Sequence, residues 1–297
     1  MAPRWTKRKR LVGVLQLAGG AAMISFSAVF VKLAHVGPTM AGFYRVLFGG
    51  IILAVMVRAR GEKLIHEKGY LLAGLLSAAF FALDLSLWHR SITYVGPGLA
   101  TLLANFQVFF LAALGILVFK EIPSWRLLAS IPLAMIGLYL IVGVTWDQLG
   151  EGYKLGVLLG LITALCYTAY ILTLRKTRSL TTNASSLSTI ALVSLLAALI
   201  MGLEALVQGE SFAIPDLQSW SALLAYGVVS QVLGWVLISA GLLKVAASQV
   251  GLVLLLQPTL AFLWDILFFS RPTVFVEILG AALALLAIYL GTTARKV

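Results

Sequence analysis

Two charged side chains lie inside otherwise apolar stretches of the sequence. Asp84 stands in the stretch AFFALDLSLWHRS (79–91), six residues before Arg90. Arg45 stands in the preceding apolar stretch, seven residues after Pro38. In helices that rise about 1.5 Å per residue, both lie about 10 Å from the same end of their segments. Because charges in hydrocarbon pair or face an interior cavity, we expect Asp84 and Arg45 to hold a substrate between them or to form an ion pair that only ties two helices together.

Aromatic side chains accompany Asp84 on its predicted helix. The spacing i, i+1, i+4 and i+8 places four residues on one face: Phe80, Phe81, Asp84 and Trp88. A carboxylate beside aromatic rings suits an ammonium group and a free Arg45 suits a carboxylate, so the pair predicts a zwitterionic substrate such as an amino acid. Trp88 is also placed to anchor the helix at the membrane interface. Asp84 is the only acidic residue well inside a predicted span, which makes it the candidate for proton coupling.

Carboxamide side chains occupy the middle of several apolar stretches. Unpaired amides are costly in hydrocarbon, so these side chains are expected to face inward. They are Asn105, Gln107, Gln231 and Gln257. Two interpretations stay open for them: interhelical hydrogen bonds, worth about 0.6 kcal/mol each on average, or contacts with a substrate. Tyr44 and Tyr167 are further candidates for lining the same cavity.

The overall composition identifies an integral membrane protein. Of the 297 residues, 61% are hydrophobic and 11% are charged, with a mean hydropathy of +1.02, whereas soluble domains are roughly half apolar and about a quarter charged. The net charge of +11 is explained by membrane topology, so no nucleic-acid partner is predicted. The single Cys166 allows no intrachain disulfide, and the three histidines are scattered. Neither a metal nor another cofactor is predicted.

Helices of about 20 apolar residues cross a bilayer, and the sequence predicts ten of them. Several breaks carry turn signals, namely Gly37-Pro38, Gly96-Pro97, Ile122-Pro123 and Arg271-Pro272. The ten predicted spans cover residues 11–34, 39–57, 69–89, 97–119, 125–143, 154–174, 184–205, 218–241, 246–268 and 273–293. The predicted fold is therefore an all-α integral membrane bundle without a soluble domain.

Positively charged residues are distributed unevenly between the predicted loops. Lys and Arg are retained on the cytoplasmic side of a membrane. Seventeen of them fall at the termini and in the even-numbered loops, and three fall in the odd-numbered loops: Arg90, Lys154 and Arg271. This asymmetry predicts a multi-pass protein of the cytoplasmic membrane with both termini cytoplasmic. A predicted acidic outer loop agrees with it and contains Glu204, Glu210 and Asp216.

The two halves of the sequence resemble each other. Shifted by 150 residues, the stretch 95–119 aligns with 245–269, and two mid-span glutamines coincide. At a shorter offset, SFSA (25–28) aligns with CYTA (166–169). Five helices per half is an odd number, so the second half enters the membrane inverted. Inverted repeats are typical of transporters, whose substrate site lies near the bilayer midplane.

The chain as a whole resembles the EamA-like branch of the drug/metabolite transporter superfamily. The resemblance rests on the ten-helix repeat architecture, Ser25-Phe26-Ser27, Arg45, Phe119-Lys120-Glu121 and Gly137. It implies two inverted five-helix repeats, at residues 1–146 and 147–297, that form a basket around a central cavity. It also implies export or exchange of small metabolites. The second half departs from the pattern, because Ser270-Arg271-Pro272 stands where an acidic residue is expected.

These observations together predict a secondary or facilitated transporter of amino acids or related zwitterionic or cationic compounds, since the sequence contains no nucleotide-binding P-loop. The alternatives are uptake or exchange of another metabolite, a channel, and an integral-membrane enzyme, which would need a catalytic cluster at the water interface. The predicted partners are a small-molecule substrate and the lipid bilayer. Gly156 and Gly160 form a GxxxG pattern that packs helices within a monomer or joins a homodimer.

Overall fold

A computed structural model describes residues 7–142, 152–181, 183–270 and 273–293. Within these ranges the chain forms helices and no strand. The helices are α1 (Lys7–Ser25), α2 (Ser27–Leu33), α3 (Pro38–Ala59), α4 (Lys68–Ala104), α5 (Gln107–Leu117), α6 (Trp125–Val142), α7 (Tyr153–Leu180), α8 (Ser186–Gln208), α9 (Leu217–Ala225), a π-helical segment (Tyr226–Gly234), α10 (Trp235–Leu242), α11 (Ala247–Leu254), α12 (Leu256–Phe269) and α13 (Phe275–Thr293).

Eight helical stretches in the described part of the chain are long and apolar enough to cross a membrane. They are Lys7–Leu33, Thr39–Ala59, Lys68–Ile92, Ala100–Leu117, Tyr153–Leu180, Ser186–Gln208, Leu217–Leu242 and Ala247–Phe269. The predicted spans at 125–143 and 273–293 correspond to shorter apolar helices, Trp125–Leu140 and Phe275–Gly291. The all-helical membrane class is thus confirmed with eight membrane-length helices, and the number ten stays a prediction.

The predicted break at Gly96-Pro97 falls inside α4, a helical segment of 37 residues. A methyl group added to Gly160 would nevertheless lie 2.8 Å from the Cβ of Leu103 and 3.1 Å from the Oγ of Ser91. In a straight helix those two residues are about 18 Å apart. The segment must therefore bend back on itself between them, which gives α4 two arms that both pack on α7.

Three long helical stretches are interrupted near their middle. Phe26 separates α1 from α2, Asn105 and Phe106 separate α4 from α5, and Leu255 separates α11 from α12. The interruptions at Asn105 and Leu255 are 150 residues apart. Lys120 and Ser270, at the ends of the same two stretches, are also 150 residues apart and have φ angles of 53° and 49°. The two stretches therefore share their local irregularities as well as their sequence.

The helices of the first half pack mainly against helices of the second half. The main pairs are α1 with α10 and the π-helical segment, α3 with α8, α4 with α7, α5 with α11, and α6 with α13. Gly156 and Gly160 serve one of these contacts, because both lie against α4. The GxxxG pattern thus packs within the chain.

Glu121, from the Phe-Lys-Glu stretch, joins the two halves through the start of α11. Its carboxylate accepts hydrogen bonds from the backbone N–H groups of Ala247 (2.8 Å) and Ser248 (3.3 Å), and from the Ser248 hydroxyl (2.7 Å). Glu121 is only 9% exposed. The first N–H groups of a helix lack intrahelical partners, so this buried carboxylate satisfies them and complements the positive end of the helix dipole.

One sequence-based placement is corrected by the structure. Glu204, predicted in a loop, lies within α8, where its carboxylate accepts hydrogen bonds from Ser86 and Arg90, the latter at 3.0 Å. The predicted boundary at 146/147 and the turn at Arg271-Pro272 lie outside the described residues.

Candidate functional site

Arg45 is buried between α3 and the π-helical segment and is held by uncharged partners. Its Nε donates to the Oε1 of Gln231 at 3.0 Å, and its Nη1 donates to the hydroxyl of Tyr226 at 3.2 Å. The guanidinium also lies 5.0 Å from the ring centre of Tyr226 and 5.7 Å from that of Phe81. At 5% exposure, a cation needs such hydrogen bonds and ring faces to offset its lost hydration.

The close approach of α3 to the π-helical segment depends on Gly49. A Cβ added there would lie 2.6 Å from the Cβ of Gln231, closer than two carbon atoms can pack. Gln231 is fully buried and uses both ends of its amide, because its Nε2 donates to the Oγ of Ser194 at 2.8 Å. The predicted candidate Gln231 therefore connects α3, α8 and the π-helical segment through hydrogen bonds.

Asp84 lies in the first arm of α4 and is 8% exposed. It is close enough to Arg45 and Tyr167 to interact with them electrostatically. Among the described residues, its carboxylate forms no ion pair within 4.0 Å. The direct Arg45–Asp84 ion pair that the sequence suggested as one interpretation is thus not formed in this structure.

Four aromatic rings pack together beside these charges. Phe81 stacks on Tyr170 at 4.5 Å between ring centres, Trp235 meets Tyr170 edge-on at 4.7 Å, and Tyr167 lies 6.3 Å from Trp235. The Tyr170 hydroxyl and the Trp235 Nε1 are buried and have no hydrogen-bond partner within the described ranges. We call Phe81, Tyr167, Tyr170 and Trp235 the aromatic cluster. Tyr170 was missed from the sequence, although it lies one helical turn after Tyr167 on the same face.

The remaining carboxamides have different surroundings. Gln257 donates from Nε2 to the Tyr167 hydroxyl at 3.3 Å. Asn105 donates to the backbone oxygen of Thr101 at 2.8 Å, so it stabilises the helix end at the interruption. Gln107 is 1% exposed, and its Oε1 has no partner in the part of the chain that the structure describes.

Asp84, Tyr167 and Gln107 lie on the same side of the bend in α4, with Asp84 and Tyr167 at similar depth. Gly160 of α7 touches both arms of α4, at Ser91 and on the returning arm. From that level Asp84 is seven residues away along the first arm, Tyr167 seven residues along α7, and Gln107 four residues along the returning arm. These steps correspond to about 10, 10 and 6 Å of helix rise. All three steps lead away from the bend in α4, because α7 starts next to that bend and runs away from it.

Two predicted candidates lie away from the aromatic cluster. Tyr44 donates its hydroxyl hydrogen to the backbone oxygen of Phe212 and packs on Phe48, so it fastens the segment before α9 to α3. Trp88 is half-buried, and its described ring contact is with His89 at 5.1 Å. The structure therefore brings together Arg45, Asp84, Phe81 and Tyr167, with Gln231 and Gln257 bonded to this group.

An apolar groove of about 380 Å³ lies between α3 and α8, apart from this group. Its lining consists of Phe43, Leu47, Leu195, Ala198, Leu199, Gly202, Leu203, Leu206 and Phe212. None of these side chains can hydrogen-bond or carries a charge, so the groove offers neither a hydrogen-bonding side chain nor an ion-pair partner to a polar compound. The group of polar and aromatic residues around Arg45 and Asp84 is therefore the better candidate for a substrate-binding site.

Comparison with known proteins identifies the family. The model of the EamA-like transporter family matches residues 11–143 and, a second time, residues 154–293. The chain belongs to the EamA-like transporter family. The resemblance seen in the sequence is therefore confirmed, and membership of this family makes the protein a membrane transporter of small molecules.

A solved structure, described only as the crystal structure of a protein, has the same fold. It superposes with a TM-score of 0.80, at 16% sequence identity, over 96% of this chain and 97% of the other. No curated protein matches the sequence.

Proposed function

We propose that this EamA-like transporter is a secondary or facilitated carrier of amino acids or related zwitterionic and cationic amines, working in export or exchange. The observation that carries the proposal is the carboxylate of Asp84, which is buried beside the aromatic cluster and, among the described residues, forms no ion pair within 4.0 Å. A carboxylate and ring faces together attract an ammonium group. Arg45, which uses two of its five N–H donors on Gln231 and Tyr226, retains donors for a substrate carboxylate.

The proposal includes an inverted repeat of two five-helix halves with both termini in the cytoplasm. Three features support the repeat itself: the matched helix interruptions at Asn105 and Leu255, the matched positive φ angles at Lys120 and Ser270, and the two successive family matches. The helix pairing also supports the repeat. In the repeat, the first arm of α4 corresponds to α10 and α7 corresponds to α1, and the structure pairs α4 with α7 just as it pairs α10 with α1. Such symmetry places the substrate site near the midplane, between the halves.

Asp84 is also proposed to carry the proton if transport is coupled to a pH gradient. The Asp84 carboxylate can bind a proton when no substrate ammonium group neutralises it. Because the proton and the ammonium group would then alternate on the same carboxylate, the movement of one across the membrane would be coupled to the movement of the other. Asp84 is the only acidic residue well inside a predicted span.

The test is transport by the purified protein in liposomes, with labelled L-lysine, L-phenylalanine and phenethylamine, with and without a pH gradient. We expect saturable flux of at least one compound, and we expect Asp84→Asn to reduce it at least tenfold. Glu67→Gln is the matched control, because Glu67 is an exposed carboxylate whose side chain makes no cap hydrogen bond. Full flux in Asp84→Asn would remove Asp84 from the substrate path, and a retained response to pH would place the proton elsewhere.

A further inference from the structure

The helices α5 and α11 pack closely at the end of the bundle that the sequence predicts to be cytoplasmic. Gly251 of α11 permits this approach, because a Cβ added there would lie 3.2 Å from the Cα of Val108 and 3.3 Å from the Cβ of Leu111. Val108 and Leu111 are fully buried. The contact therefore leaves no room between the two helices at this level.

Glu121 fastens the same contact nearer the predicted cytoplasmic surface. Its carboxylate, which follows α5 in the chain, accepts hydrogen bonds from the N–H groups of Ala247 and Ser248 and from the Ser248 hydroxyl. Gly115 of α5 makes room for it, since a Cβ there would lie 2.6 Å from the Oε2 of Glu121. We call the contact of α5 with α11, together with the hydrogen bonds of Glu121, the inner closure.

The repeat contains a second pair of segments equivalent to α5 and α11. At the offset of 150 residues, α11 corresponds to residues 97–104 in the returning arm of α4, and α5 corresponds to residues 257–267 of α12. In this structure α12 packs mainly on α1, α2 and α13. Inverted-repeat transporters open to the other side when one repeat rocks against the other, which here would bring α12 onto the returning arm. We call that contact the outer closure.

The outer pair of segments repeats none of the groups on which the inner closure depends. An arginine stands at the position of the Glu121 carboxylate, and a proline, which has no N–H to donate, stands at the position of Ala247. Glycine replaces Ser248 with its hydroxyl, and larger residues replace both close-packed glycines. The counterparts of Glu121, Ala247, Ser248, Gly115 and Gly251 are, in that order, Arg271, Pro97, Gly98, Asp265 and Thr101. The outer closure therefore lacks the hydrogen bonds and the close packing of the inner one.

We propose that Glu121 is a latch that biases the empty transporter towards the state closed at the cytoplasmic end and open at the outer end. Its hydrogen bonds to α11 form in the inner closure and have no equivalent in the outer one. A group that stabilises one of two conformations shifts the equilibrium towards it. This inference rests on the proposed function, in particular on the inverted repeat and the cytoplasmic termini, and adds the side to which the empty carrier opens.

Disulfide cross-linking of the purified full chain, in a Cys166→Ser background, measures the two closures separately. The pair Leu111→Cys and Gly251→Cys reports the inner closure, because the two Cβ atoms would lie 3.3 Å apart, near the separation of about 3.8 Å that is typical of disulfides. The pair Thr101→Cys and Ala261→Cys is the same pair shifted by 150 residues and reports the outer closure. Copper phenanthroline is the oxidant, and a maleimide-linked polyethylene glycol tag counts the remaining thiols.

The inner pair should cross-link faster than the outer pair when the latch is intact, and two variants then weaken the latch. Ser248→Ala removes one of its three hydrogen bonds and Glu121→Ala removes all three. Because a hydrogen bond to a charged group is worth a factor of about ten or more, Ser248→Ala should speed cross-linking of the outer pair about tenfold and Glu121→Ala should speed it further. Glu67→Ala is the matched control, since it removes an exposed carboxylate without a cap hydrogen bond, and it should change neither rate.

The outer pair separates a latch from a helix cap. Fraying of α11 alone would slow the inner pair without bringing the outer pair together, whereas a shift of the equilibrium speeds the outer pair. Ser248→Ala keeps the Glu121 carboxylate at the helix start, so it decides the question even if Glu121→Ala folds poorly. An unchanged outer rate in Ser248→Ala, or equal rates for both pairs with the latch intact, overturns the proposal. Cross-linking needs no transported compound, so the liposome fluxes test the proposed function separately.

Discussion

Gln231 uses both ends of its amide on buried partners, and this makes it a residue on which stability depends. Its Oε1 accepts from the Nε of Arg45 and its Nε2 donates to Ser194. Gln231→Leu leaves a buried guanidinium short of one acceptor, so we expect a loss of about 1–3 kcal/mol in the free energy of unfolding. Thermal unfolding in detergent measures the change as a lower Tm.

Gln218→Leu is the matched control for this residue. Gln218 is exposed and makes one hydrogen bond, from its Nε2 to the backbone oxygen of Leu33 at 3.1 Å. Because water can replace that bond, its Tm should stay close to that of the wild type. Equal Tm values for the two variants would show that Arg45 does not depend on Gln231.

At the same scale, the sequence identified the polar residues but not their partners. Arg45 and Asp84 were expected to interact because they lie at similar depth on consecutive spans. The structure instead places Arg45 against Gln231 and Tyr226, more than 180 positions away in the sequence. Depth along a helix can be counted from the sequence, whereas rotation about the helix axis and the identity of the facing helix depend on packing.

At the scale of secondary structure, α11 begins on a carboxylate from the other half of the chain. Glu121→Ala removes the acceptor for two backbone N–H groups and for the Ser248 hydroxyl. Hydrogen bonds to charged groups are worth about 1.5–3 kcal/mol, so we expect a loss of that order in the free energy of unfolding. Glu121→Gln retains one acceptor and should lose less.

The control for α11 is Glu67→Ala, which removes an exposed carboxylate at the start of α4 that makes no cap hydrogen bond. Its Tm in detergent should match that of the wild type. Hydrogen exchange, read by mass spectrometry over Ala247–Leu254, should rise in Glu121→Ala and not in Glu67→Ala. Unchanged exchange at α11 in Glu121→Ala would contradict the capping role.

Some helix boundaries were readable from the sequence and others were not. Proline and glycine at Gly37-Pro38 mark the start of α3 as predicted. The interruption at Leu255 was readable, because Pro258 has no N–H to donate to the Leu254 carbonyl and so kinks the helix there. The interruption at Phe26 has no adjacent glycine or proline, and the π-helical segment Tyr226–Gly234 has no sequence signature of its own. π-Helical turns are rare and are frequently found at functional sites, and this one carries Tyr226 and Gln231, the two hydrogen-bonding partners of Arg45.

At the scale of the whole molecule, the inverted repeat makes a directional prediction. Lys120 and Ser270 occupy equivalent positions 150 residues apart, and both are exposed. In an inverted repeat they lie on opposite sides of the membrane, whereas in a direct repeat they lie on the same side. In a Cys166→Ser background, an impermeant maleimide applied to intact cells should label Ser270→Cys and not Lys120→Cys.

Permeabilised cells provide the control for this labelling, because both cysteine variants should then react. The Cys166→Ser background itself should stay unlabelled, since Cys166 is the single cysteine of the chain. Labelling of both positions in intact cells would contradict the inversion. The reverse pattern, with only Lys120→Cys labelled, would keep the inversion and reverse the predicted orientation of the termini.

The sequence by itself determined the membrane class, the family and the set of polar side chains inside the bundle. Those properties are local, because hydropathy, charge and motif residues can be counted along the chain without knowing what faces them. The tertiary structure decided which of these side chains are satisfied. It bonded Arg45 to the π-helical segment and Gln257 to Tyr167, and among the described residues it left the Oε1 of Gln107 without a bonded partner. The physical reason is that hydrogen bonds between helices depend on their rotation and close approach, which only the packed bundle fixes.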